Sequence, residues 1–471
     1  MTHAAAGVVR DPRTGKVERE LRPVGAEELR RTAGRLREAQ PGWAARSAEA
    51  RGAALLAWRD VLAEDRALLD ALVADTGRYT ESVMEVRGVA GMLERWAAQA
   101  PALLAPGEPR AAALPGVEIH QALVPYQLTG VISPWNFPLL LGLIDAIPAL
   151  AAGSAVLAKP SEVTPRFIEP LMATVRRVPE LAEVLAVVEG GGECGAELVG
   201  LVDAVAFTGS VPTGRAVGAA AAAAFIPAFL ELGGKDPAIV LAGADLDRAA
   251  SAILWGATAN AGQSCLSIER VYVEEPAFEE FVELVTAKAR RIRLARPGPA
   301  DGQLGPLIDP AQAVVVERHL QDAYAKGAVA RCGGAVETLD GGLWCRPTVL
   351  TGVHHGMLVM TEETFGPIVP VMPVRDAGHA VELANDSAFG LSAAVFGPDP
   401  ELALEVAGRL RAGAVSVGDA GLTAFVHEGT KNSFNLSGLG GSRMGPASLF
   451  RFVRHQARLV NRSAAPDPWW H

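Results

Sequence analysis

Cysteine is scarce in this sequence, with four among 471 residues, at positions 194, 265, 332 and 345. None of the spacings is CxxC, no neighbouring histidine pattern is typical of zinc, and a chain of this length does not depend on a disulfide framework. We therefore expect neither a metal site nor disulfide bonds. Each cysteine is then either an inert buried thiol or a reactive one.

Basic residues are not in excess either, because the net charge is -10. Nothing in that balance favours binding to nucleic acid or to an anionic membrane, so we expect neither partner. From Met1 to Ala4 and onward the sequence lacks a basic segment followed by an apolar core, which is the pattern of a secretory signal. These absences favour a cytoplasmic protein.

A long uninterrupted apolar run is missing as well. The stretch from Leu139 to Ala158 comes nearest, since a membrane span needs about 20 apolar residues. It contains Asp145 and Pro148 in its middle and Gly153 near its end. The pattern predicts a buried helix, a turn and a strand instead of a membrane span.

What is present is a composition that is 49% hydrophobic and enough length for two or three globular domains. Apolar residues at helical spacing predict several amphipathic helices between residues 26 and 110. An extended segment is expected near 117–123, where prolines accumulate. Beyond Gly130, short apolar strands alternate with helices in two successive regions, which predicts α/β layers with parallel sheets. Residues 452–460 alternate as a final strand.

Three segments are suited to holding a dinucleotide. Residues 159–162, Lys-Pro-Ser-Glu, offer a donor and an acceptor for ribose hydroxyls at a strand end, where ligands bind in open α/β sheets. Residues 207–214 contain glycines that permit close backbone approach before a helix, whose N-terminus can receive a pyrophosphate. A GxGxxG motif is absent, and the Gly-rich turn at 189–195 is the third segment. Taken singly, each is equally consistent with a surface loop or a plain connection.

Further motifs carry groups suited to catalysis. Glu231 lies in an apolar stretch, a setting that favours the neutral form of a carboxyl and suits a general base, with a helix-terminal Glu as the alternative. Cys265 lies in a loop of small residues that would admit a carbonyl to the sulfur, although a lone cysteine is more often inert. Proline-stiffened turns at 133–138 and 362–367 hold aromatic and polar side chains that suit substrate positioning or structure alone.

Taken in order, these motifs resemble the aldehyde dehydrogenase superfamily, in its NAD(P)-dependent, hydrolytic, non-acylating branch. The six motifs are Pro134-Trp135-Asn136-Phe137-Pro138, Lys159-Pro160-Ser161-Glu162, Phe207-Thr208-Gly209-Ser210, Glu231-Leu232-Gly233-Gly234-Lys235, Gly262-Gln263-Ser264-Cys265 and Glu363-Thr364-Phe365-Gly366-Pro367. The resemblance extends from about Asp75 to the tail.

The resemblance implies an α/β fold with three parts. These are a Rossmann-like dinucleotide-binding domain at residues 1–110 and 126–231, an α/β catalytic domain at 232–442, and a small β oligomerisation extension at 111–125 and 443–471. The extension would pair its two segments as strands. Since an isolated two-stranded unit is marginal, it implies a homodimer or homotetramer.

By the same resemblance, Cys265 as a thiolate would add to a small-molecule aldehyde. The Asn136 amide and the Cys265 backbone N–H would hold the oxyanion, and Glu231 would activate the water that hydrolyses the thioester. NAD is the implied cofactor, with NADP as the alternative, and the carboxylate of Glu162 would repel a 2′-phosphate and favour NAD. The positions implied to bind the cofactor are Ile132, Trp135, Lys159, Glu162, Gly195, Phe207, Gly209, Ser210, Thr213, Glu363 and Phe365.

The substrate is less well indicated. Family members acting on succinic semialdehyde resemble one another in an Arg six residues before the nucleophile, where this chain has Ala259. Together with Met92, Trp96, Phe425 and His427, this departure suggests a mid-sized apolar or aromatic aldehyde.

Two alternatives stand beside the hydrolytic enzyme. A CoA-acylating semialdehyde dehydrogenase typically lacks the Glu of the Glu-Leu-Gly-Gly motif, whereas Glu231 is present. A non-catalytic scaffold that retains the fold would be expected to have lost Cys265, Glu231 or Asn136, and this sequence keeps all three.

Overall fold

The computed structural model describes residues 7–463. The start of the predicted dinucleotide-binding domain, residues 1–6, and the end of the predicted extension, residues 464–471, lie outside that range. The strands are β1 Val8–Arg10, β2 Val17–Glu20, β3 Arg110–Ala111, β4 Val117–Pro125, β5 Leu128–Ile132, β6 Ala155–Lys159, β7 Leu185–Val187, β8 Ala204–Thr208, β9 Ala228–Glu231, β10 Asp236–Val240, β11 Ile268–Glu274, β12 Val329–Cys332, β13 Val336–Leu339, β14 Gly342–Cys345, β15 Thr348–Thr351, β16 Ile368–Val374, β17 Ser392–Phe396, β18 Ala414–Val417, β19 Gly438–Leu439 and β20 Val453–Asn461.

The helices are α1 Ala26–Ala44, α2 Ala48–Ala63, α3 Arg66–Thr76, α4 Thr80–Leu104, α5 Pro138–Leu143, α6 Ala146–Ala152, α7 Ile168–Arg176, α8 Pro179–Ala182, α9 Gly192–Val199, α10 Val211–Ala224, α11 Leu246–Thr258, α12 Glu275–Ala289, α13 Pro310–Ala325, α14 Leu358–Thr361, α15 Ala377–Asn385, α16 Pro400–Ala407 and α17 Leu422–Phe425. Helices α1 to α4 confirm the amphipathic segment predicted at 26–110. Two of them begin at conventional capping residues, since the side chains of Ser47 and Asp65 cap the first turns of α2 and α3.

A six-stranded sheet forms the first α/β layer, in the order β19-β9-β8-β5-β6-β7. All neighbours in it are parallel except β19, which runs antiparallel to β9. The chain builds outward from β5 through β6 to β7 and then returns to the other side of β5 with β8 and β9. A crevice therefore opens between the carboxyl ends of β5 and β8, which is where open α/β sheets bind ligands.

A seven-stranded sheet forms the second layer, in the order β12-β15-β16-β11-β10-β17-β18. Its pairs are parallel apart from β12 with β15. Buried apolar side chains form one core on each face of this sheet, with α11 and α12 on one side and α13, α15 and α16 on the other. The α/β alternation predicted from the sequence is confirmed in both layers.

A three-stranded antiparallel sheet, β20-β4-β3, stands apart from both layers. Strands β4 and β20 pair along their whole lengths, from Val453 opposite Pro125 to Asn461 opposite Val117. The two segments expected to combine as an extension therefore do pair. Most of β20 is exposed, including Leu459 at 68%.

The apolar stretch from Leu139 to Ala158 folds as predicted into buried helix, turn and strand. It forms α5 and α6, ends at Gly153 with a φ of 102°, and continues into β6. A left-handed φ at the end of a helix is readily adopted only by glycine, so Gly153 sets the turn. Among the described residues no helix combines the length and the apolar character needed to cross a membrane.

Candidate active site

Cys265 follows a turn with an unusual backbone. Asn260, Ala261 and Gly262 have φ values of 59°, 55° and 68°, a left-handed region that ordinary side chains rarely occupy. At position 262 any larger residue is excluded, because a Cβ there would lie 2.2 Å from the carbonyl oxygen of Gly366. The turn brings the chain from α11 back to β11 and leaves Cys265 at its end.

Side-chain hydrogen bonds hold this turn in place. Gln263 donates from Nε2 to the carbonyl of Asn260 at 3.0 Å and accepts at Oε1 from the backbone N–H of Ile308 at 2.9 Å. Asn260 donates from Nδ2 to the carbonyls of Gln263 at 2.9 Å and Asn136 at 3.0 Å. Both side chains are buried, so these bonds are shielded from water and can sustain the strained backbone.

Asn136 lies beside the nucleophile loop, as the sequence predicts for an oxyanion donor. Its Nδ2 donates to the carbonyl of Gln263 at 3.0 Å, two residues before Cys265. An amide nitrogen carries two hydrogens, so one remains for an oxygen atom bound near the sulfur. The carbonyl of Asn136 accepts from the buried Arg78 Nη2 at 3.3 Å as well as from Asn260, which fixes the loop from two directions.

The thiol of Cys265 is held in its protonated form when the protein is free. Burial raises its pKa to about 12, with a further contribution from the carboxyl of Glu363, while Lys431 and Arg443 act in the opposite direction. The Glu-Leu-Gly-Gly-Lys motif packs against this loop, because a Cβ on Gly234 would lie 2.4 Å from the Cys265 carbonyl oxygen. The thiolate form of Cys265 is therefore disfavoured in the free protein.

Glu231, the last residue of β9, is half-buried, and its Oε2 accepts a hydrogen bond from the Ser433 hydroxyl at 2.9 Å. Ser433 comes from the segment that then forms β19, where Gly438 pairs with Glu231. This segment gives one side of the carboxylate a fixed partner. Sequence reasoning missed Ser433, because no motif marks a residue 202 positions away from its partner.

A buried charged cluster, formed by Asp145, Arg443 and Arg451, lies next to these groups. Asp145 pairs with Arg443 Nη2 at 2.7 Å and also with Arg451, and Arg443 donates to the Thr208 hydroxyl. Burial alone would raise the pKa of Asp145, but the two guanidinium groups outweigh it and hold that pKa below its ordinary value. Sequence analysis missed both arginines, although a carboxyl group within an apolar stretch already requires a buried partner.

The same cluster interacts electrostatically with the predicted nucleophile and the predicted base. Burial lowers the pKa of Arg443, but Asp145, Glu231 and Cys265 together raise it above its ordinary value. Arg443 is therefore within interaction range of both the predicted nucleophile and the predicted base.

Glu363 and Phe365 are positioned by a buried hydrogen-bond network centred on Glu269. Glu269 accepts at Oε2 from Lys235 Nζ at 2.6 Å and from the Thr364 N–H at 2.7 Å, and at Oε1 from the Phe365 N–H at 2.7 Å. The Phe365 ring meets that of Trp135 edge to face, with centroids 5.5 Å apart. Sequence analysis did not identify Glu269, whose role depends on this tertiary packing.

Glu363 itself contacts the Glu-Leu-Gly-Gly motif. Its Oε1 accepts from the Gly234 N–H at 3.0 Å, and a Cβ on Gly233 would lie 2.4 Å from its Oε2. Burial, followed by the neighbouring Glu269, raises the pKa of Glu363 to about 8. The two predicted motifs therefore meet around Cys265.

The ribose-binding residues predicted at the end of β6 also come together. Lys159 Nζ and Glu162 Oε2 are 3.3 Å apart, and the lysine is almost fully buried. Ile132, which pairs with Lys159 across β5 and β6, lies beside Gly195, where a Cβ would contact both side chains at 3.7 Å. Together these residues form one wall of the crevice.

The N-terminus of α10 forms the facing wall. Ser210 precedes the helix without capping it, and its hydroxyl donates to that of Thr213 at 3.1 Å. Gly209 packs closely against the Phe207 ring, since a Cβ there would lie 2.6 Å from it. Uncapped backbone N–H groups at a helix N-terminus bind phosphate well. The residues therefore fit a dinucleotide, with ribose at Lys159 and Glu162 and pyrophosphate at α10.

A separate small cavity is lined in part by three of the residues expected to border the aldehyde, Met92, Trp96 and His427. Phe425 is not among its lining residues. It packs against Trp255, with ring centroids 5.6 Å apart, and is 53% exposed.

Comparison with known proteins identifies the family of this chain. The model of the aldehyde dehydrogenase family matches residues 3–457. A Mycolicibacterium smegmatis protein, provisionally named succinate-semialdehyde dehydrogenase [NADP(+)], is 37% identical over 455 residues, which are 95% of this chain and 87% of the relative. A 4,4'-diapolycopene aldehyde oxidase of Methylomonas sp is 40% identical over 352 residues, 74% of this chain and 64% of the relative.

Solved structures give the same result. That of an aldehyde dehydrogenase, PutA, from Anabaena variabilis, also provisionally named, is 54% identical and superposes with a TM-score of 0.96, covering 98% of this chain and 99% of the other. Betaine aldehyde dehydrogenase from Staphylococcus aureus, solved with NAD+, is 29% identical with a TM-score of 0.91, covering 98% and 92%. This chain belongs to the aldehyde dehydrogenase family. It is an oxidoreductase that acts on aldehydes and uses NAD(P).

Proposed function

We propose that this enzyme oxidises an aldehyde to its carboxylic acid by a covalent route on Cys265. The sulfur adds to the carbonyl, and the Asn136 amide with the Cys265 N–H stabilises the oxyanion. NAD(P), when bound, accepts the hydride. Glu231 then activates water to hydrolyse the thioester, which releases the acid and regenerates the thiol. The observation that carries the proposal is the Asn136 amide bonded 3.0 Å from the Gln263 carbonyl, two residues before the nucleophile.

Two substitutions test the separate roles. Cys265→Ala should abolish turnover across an aldehyde panel. Glu231→Gln should release about one NAD(P)H per active site in a rapid burst and then stall as the thioester, because acylation does not need the hydrolytic base. Undiminished steady-state turnover in the Glu231 variant would exclude it as the deacylation base, and mass spectrometry of the stalled protein should find the acyl group on Cys265.

A CoA-acylating reaction is the competing chemistry, in which a thiol takes the acyl group instead of water. Glu231 supports hydrolysis, since it is present and held by Ser433 at 2.9 Å. The test measures NAD(P)H formation with and without CoA and identifies the product. Formation of acyl-CoA only when CoA is present would replace the hydrolytic proposal.

We further propose that NAD is preferred over NADP. The carboxylate of Glu162 lies 3.3 Å from Lys159 Nζ at the ribose wall, where it would repel a 2′-phosphate. The M. smegmatis relative is named as an NADP enzyme, so a preference for NAD would distinguish this chain from that relative. Comparing kcat/KM for both cofactors in the wild type and in Glu162→Gln decides it, because a variant with no relative gain for NADP would contradict the repulsion.

For the substrate we propose an aldehyde of moderate size with an apolar or aromatic body. Support comes from Met92 and Trp96, which give the cavity its apolar wall. The relatives named for succinate semialdehyde raise the alternative of an acid-bearing aldehyde, against which stands Ala259 in place of the expected arginine. A panel of aldehydes that varies size and charge separately distinguishes the two.

Finally, we propose that the enzyme assembles as a homodimer or homotetramer in the cytoplasm, through the ribbon of β4 and β20. The ribbon exposes Val124 and Leu459, and within residues 7–463 no strand pairs with the outer edge of β20. Unpaired strand edges favour association. Light scattering should find an oligomer that Leu459→Lys weakens, and a monomeric wild type would contradict the proposal.

A further inference from the structure

The two carboxylate oxygens of Glu231 are unequally used. Oε2 accepts a hydrogen bond from the Ser433 hydroxyl at 2.9 Å, whereas within residues 7–463 no hydrogen bond reaches Oε1. The neighbouring carboxylates differ, since Glu269 accepts hydrogen bonds at both oxygens and Asp145 pairs with one arginine at each. Polar groups that are shielded from water normally have their hydrogen bonds satisfied, so the free oxygen of Glu231 indicates a position for another donor.

The backbone on both sides of Ser433 is fixed by contacts with the chain just before β17 and β18. The N–H of Phe434 donates to the carbonyl of Gly390 at 2.9 Å. On the other side, a Cβ on Gly413 would lie 2.2 Å from the carbonyl oxygen of Asn432, so the two segments are in close contact there. The position of Ser433 therefore does not depend on the bond that its hydroxyl makes.

The strand of Glu231 is attached to the same segment. Gly438 of β19 pairs with Glu231, and the Leu232 N–H donates to the Ser437 carbonyl at 2.8 Å. The Ser437 hydroxyl in turn accepts from the Gly390 N–H at 2.9 Å. The serine and the glutamate therefore belong to one hydrogen-bonded frame, and the bond between them restricts the orientation of the carboxylate.

This arrangement has a chemical use in the hydrolysis of a thioester. A general base needs an ionised carboxylate with one oxygen directed at the water. A hydroxyl that donates to the other oxygen favours the ionised form and limits rotation of the side chain. Since formation of the thioester on Cys265 does not need this carboxylate, the contribution of the hydroxyl belongs to the second half of the reaction.

We propose that Ser433 is a positioning residue for hydrolysis of the thioester, acting through Glu231. It holds Oε2, so that Oε1 takes a proton from the water whose oxygen bonds to the acyl carbon. The carbon–sulfur bond then breaks, the acid leaves, and the sulfur of Cys265 regains the proton. This inference rests on the proposed function, because it requires Glu231 to be the deacylation base.

The test follows the two halves of one turnover separately, with less than one aldehyde molecule per active site. NADH formation after rapid mixing with NAD measures formation of the thioester. Mass spectrometry of acid-quenched samples measures the decay of the acyl group on Cys265. Ser433→Ala should form NADH at the wild-type rate but slow the decay about tenfold, because a hydrogen bond to a charged group is lost.

Two further variants serve as controls. Ser433→Thr retains the hydroxyl and should restore most of the decay rate. Thr430→Ala removes a hydroxyl from an exposed residue of the same segment and should leave both rates unchanged. The inference is overturned if Ser433→Ala decays normally, if it slows both rates equally, or if Ser433→Thr is as slow as Ser433→Ala.

A double variant shows whether Ser433 acts through Glu231. In the Glu231→Gln background the acyl group should decay slowly, and Ser433→Ala should slow it no further, because the carboxylate through which the serine acts is absent. Additional slowing there would overturn the inference and leave the proposed function intact. If Glu231→Gln alone decays at the wild-type rate, Glu231 is not the base, and the proposed function fails together with the inference.

Discussion

Replacing Glu269 by glutamine removes the central carboxylate of the network that holds the Phe365 loop. The side chain is 2% exposed and accepts hydrogen bonds from Lys235, Thr364 and Phe365, each within 2.7 Å. Glutamine has nearly the same shape but places an NH2 group where one oxygen accepted. At least one bond is therefore lost, together with the negative charge opposite Lys235.

The cost follows from the burial of Lys235, which is 1% exposed. Removing one partner of a buried ion pair costs about 3–5 kcal/mol, because the other charge remains uncompensated. Burial already lowers the pKa of Lys235, and Glu269 is the main group acting against that. In the variant the lysine can therefore relieve part of the cost by losing its proton, and we expect a loss near 3 kcal/mol.

The assay is a double-mutant cycle followed by urea denaturation, with Glu269→Gln, Lys235→Met and the double variant. Removing both charges leaves neither unpaired, so the double variant should be more stable than the two single losses predict, by at least about 1 kcal/mol. The KM for NAD(P) should rise in Glu269→Gln, because Phe365 and Glu363 lose their fixed loop. Additive losses combined with an unchanged KM would refute the reasoning.

Two further predictions concern backbone and pH. Gly262→Ala should abolish activity and destabilise the protein, because its Cβ would lie 2.2 Å from the Gly366 carbonyl oxygen at a φ of 68°. The control, Gly91→Ala, lies in open space on α4 and should stabilise the protein by about 0.5–1 kcal/mol. Equal effects of the two substitutions in thermal unfolding would contradict this prediction. Burial raises the pKa of Glu85 from its ordinary 4.5 to about 8, so the folded state keeps a proton that the unfolded chain releases, and stability should fall as pH rises across that window. Glu85→Gln, which can still accept from the Leu139 N–H, should make the fall in stability between pH 5 and 8 less steep, and an unchanged slope would count against the assignment.

Local sequence patterns predict those elements whose causes are themselves local. The stretch from Leu139 to Ala158 is an example, since Asp145, Pro148 and Gly153 mark the helices and the turn that the structure contains. The strand ends that carry Lys159 and Phe207 are a second example, because the run of buried apolar residues shows where each parallel strand ends. The family resemblance relates these motifs to one another, and tertiary packing brings them together at one crevice.

What could not be predicted depends on contacts far apart in sequence. Arg443 and Arg451 meet Asp145 across 298 and 306 residues, and local propensity contains no information about such pairings. The positive φ values of Asn260 and Ala261 also contradict residue preference, since tertiary hydrogen bonds override it.

The order in which the chain leaves the ribosome gives the segment after β18 a particular consequence. A nascent chain that has emerged only to Val417 already contains Cys265 and Glu231. It still lacks Ser433, the hydrogen-bond donor to Glu231, and both cations that pair with Asp145. The side-chain partners of Glu231 and Asp145 are therefore supplied only late in translation, after the residues that they contact have already emerged.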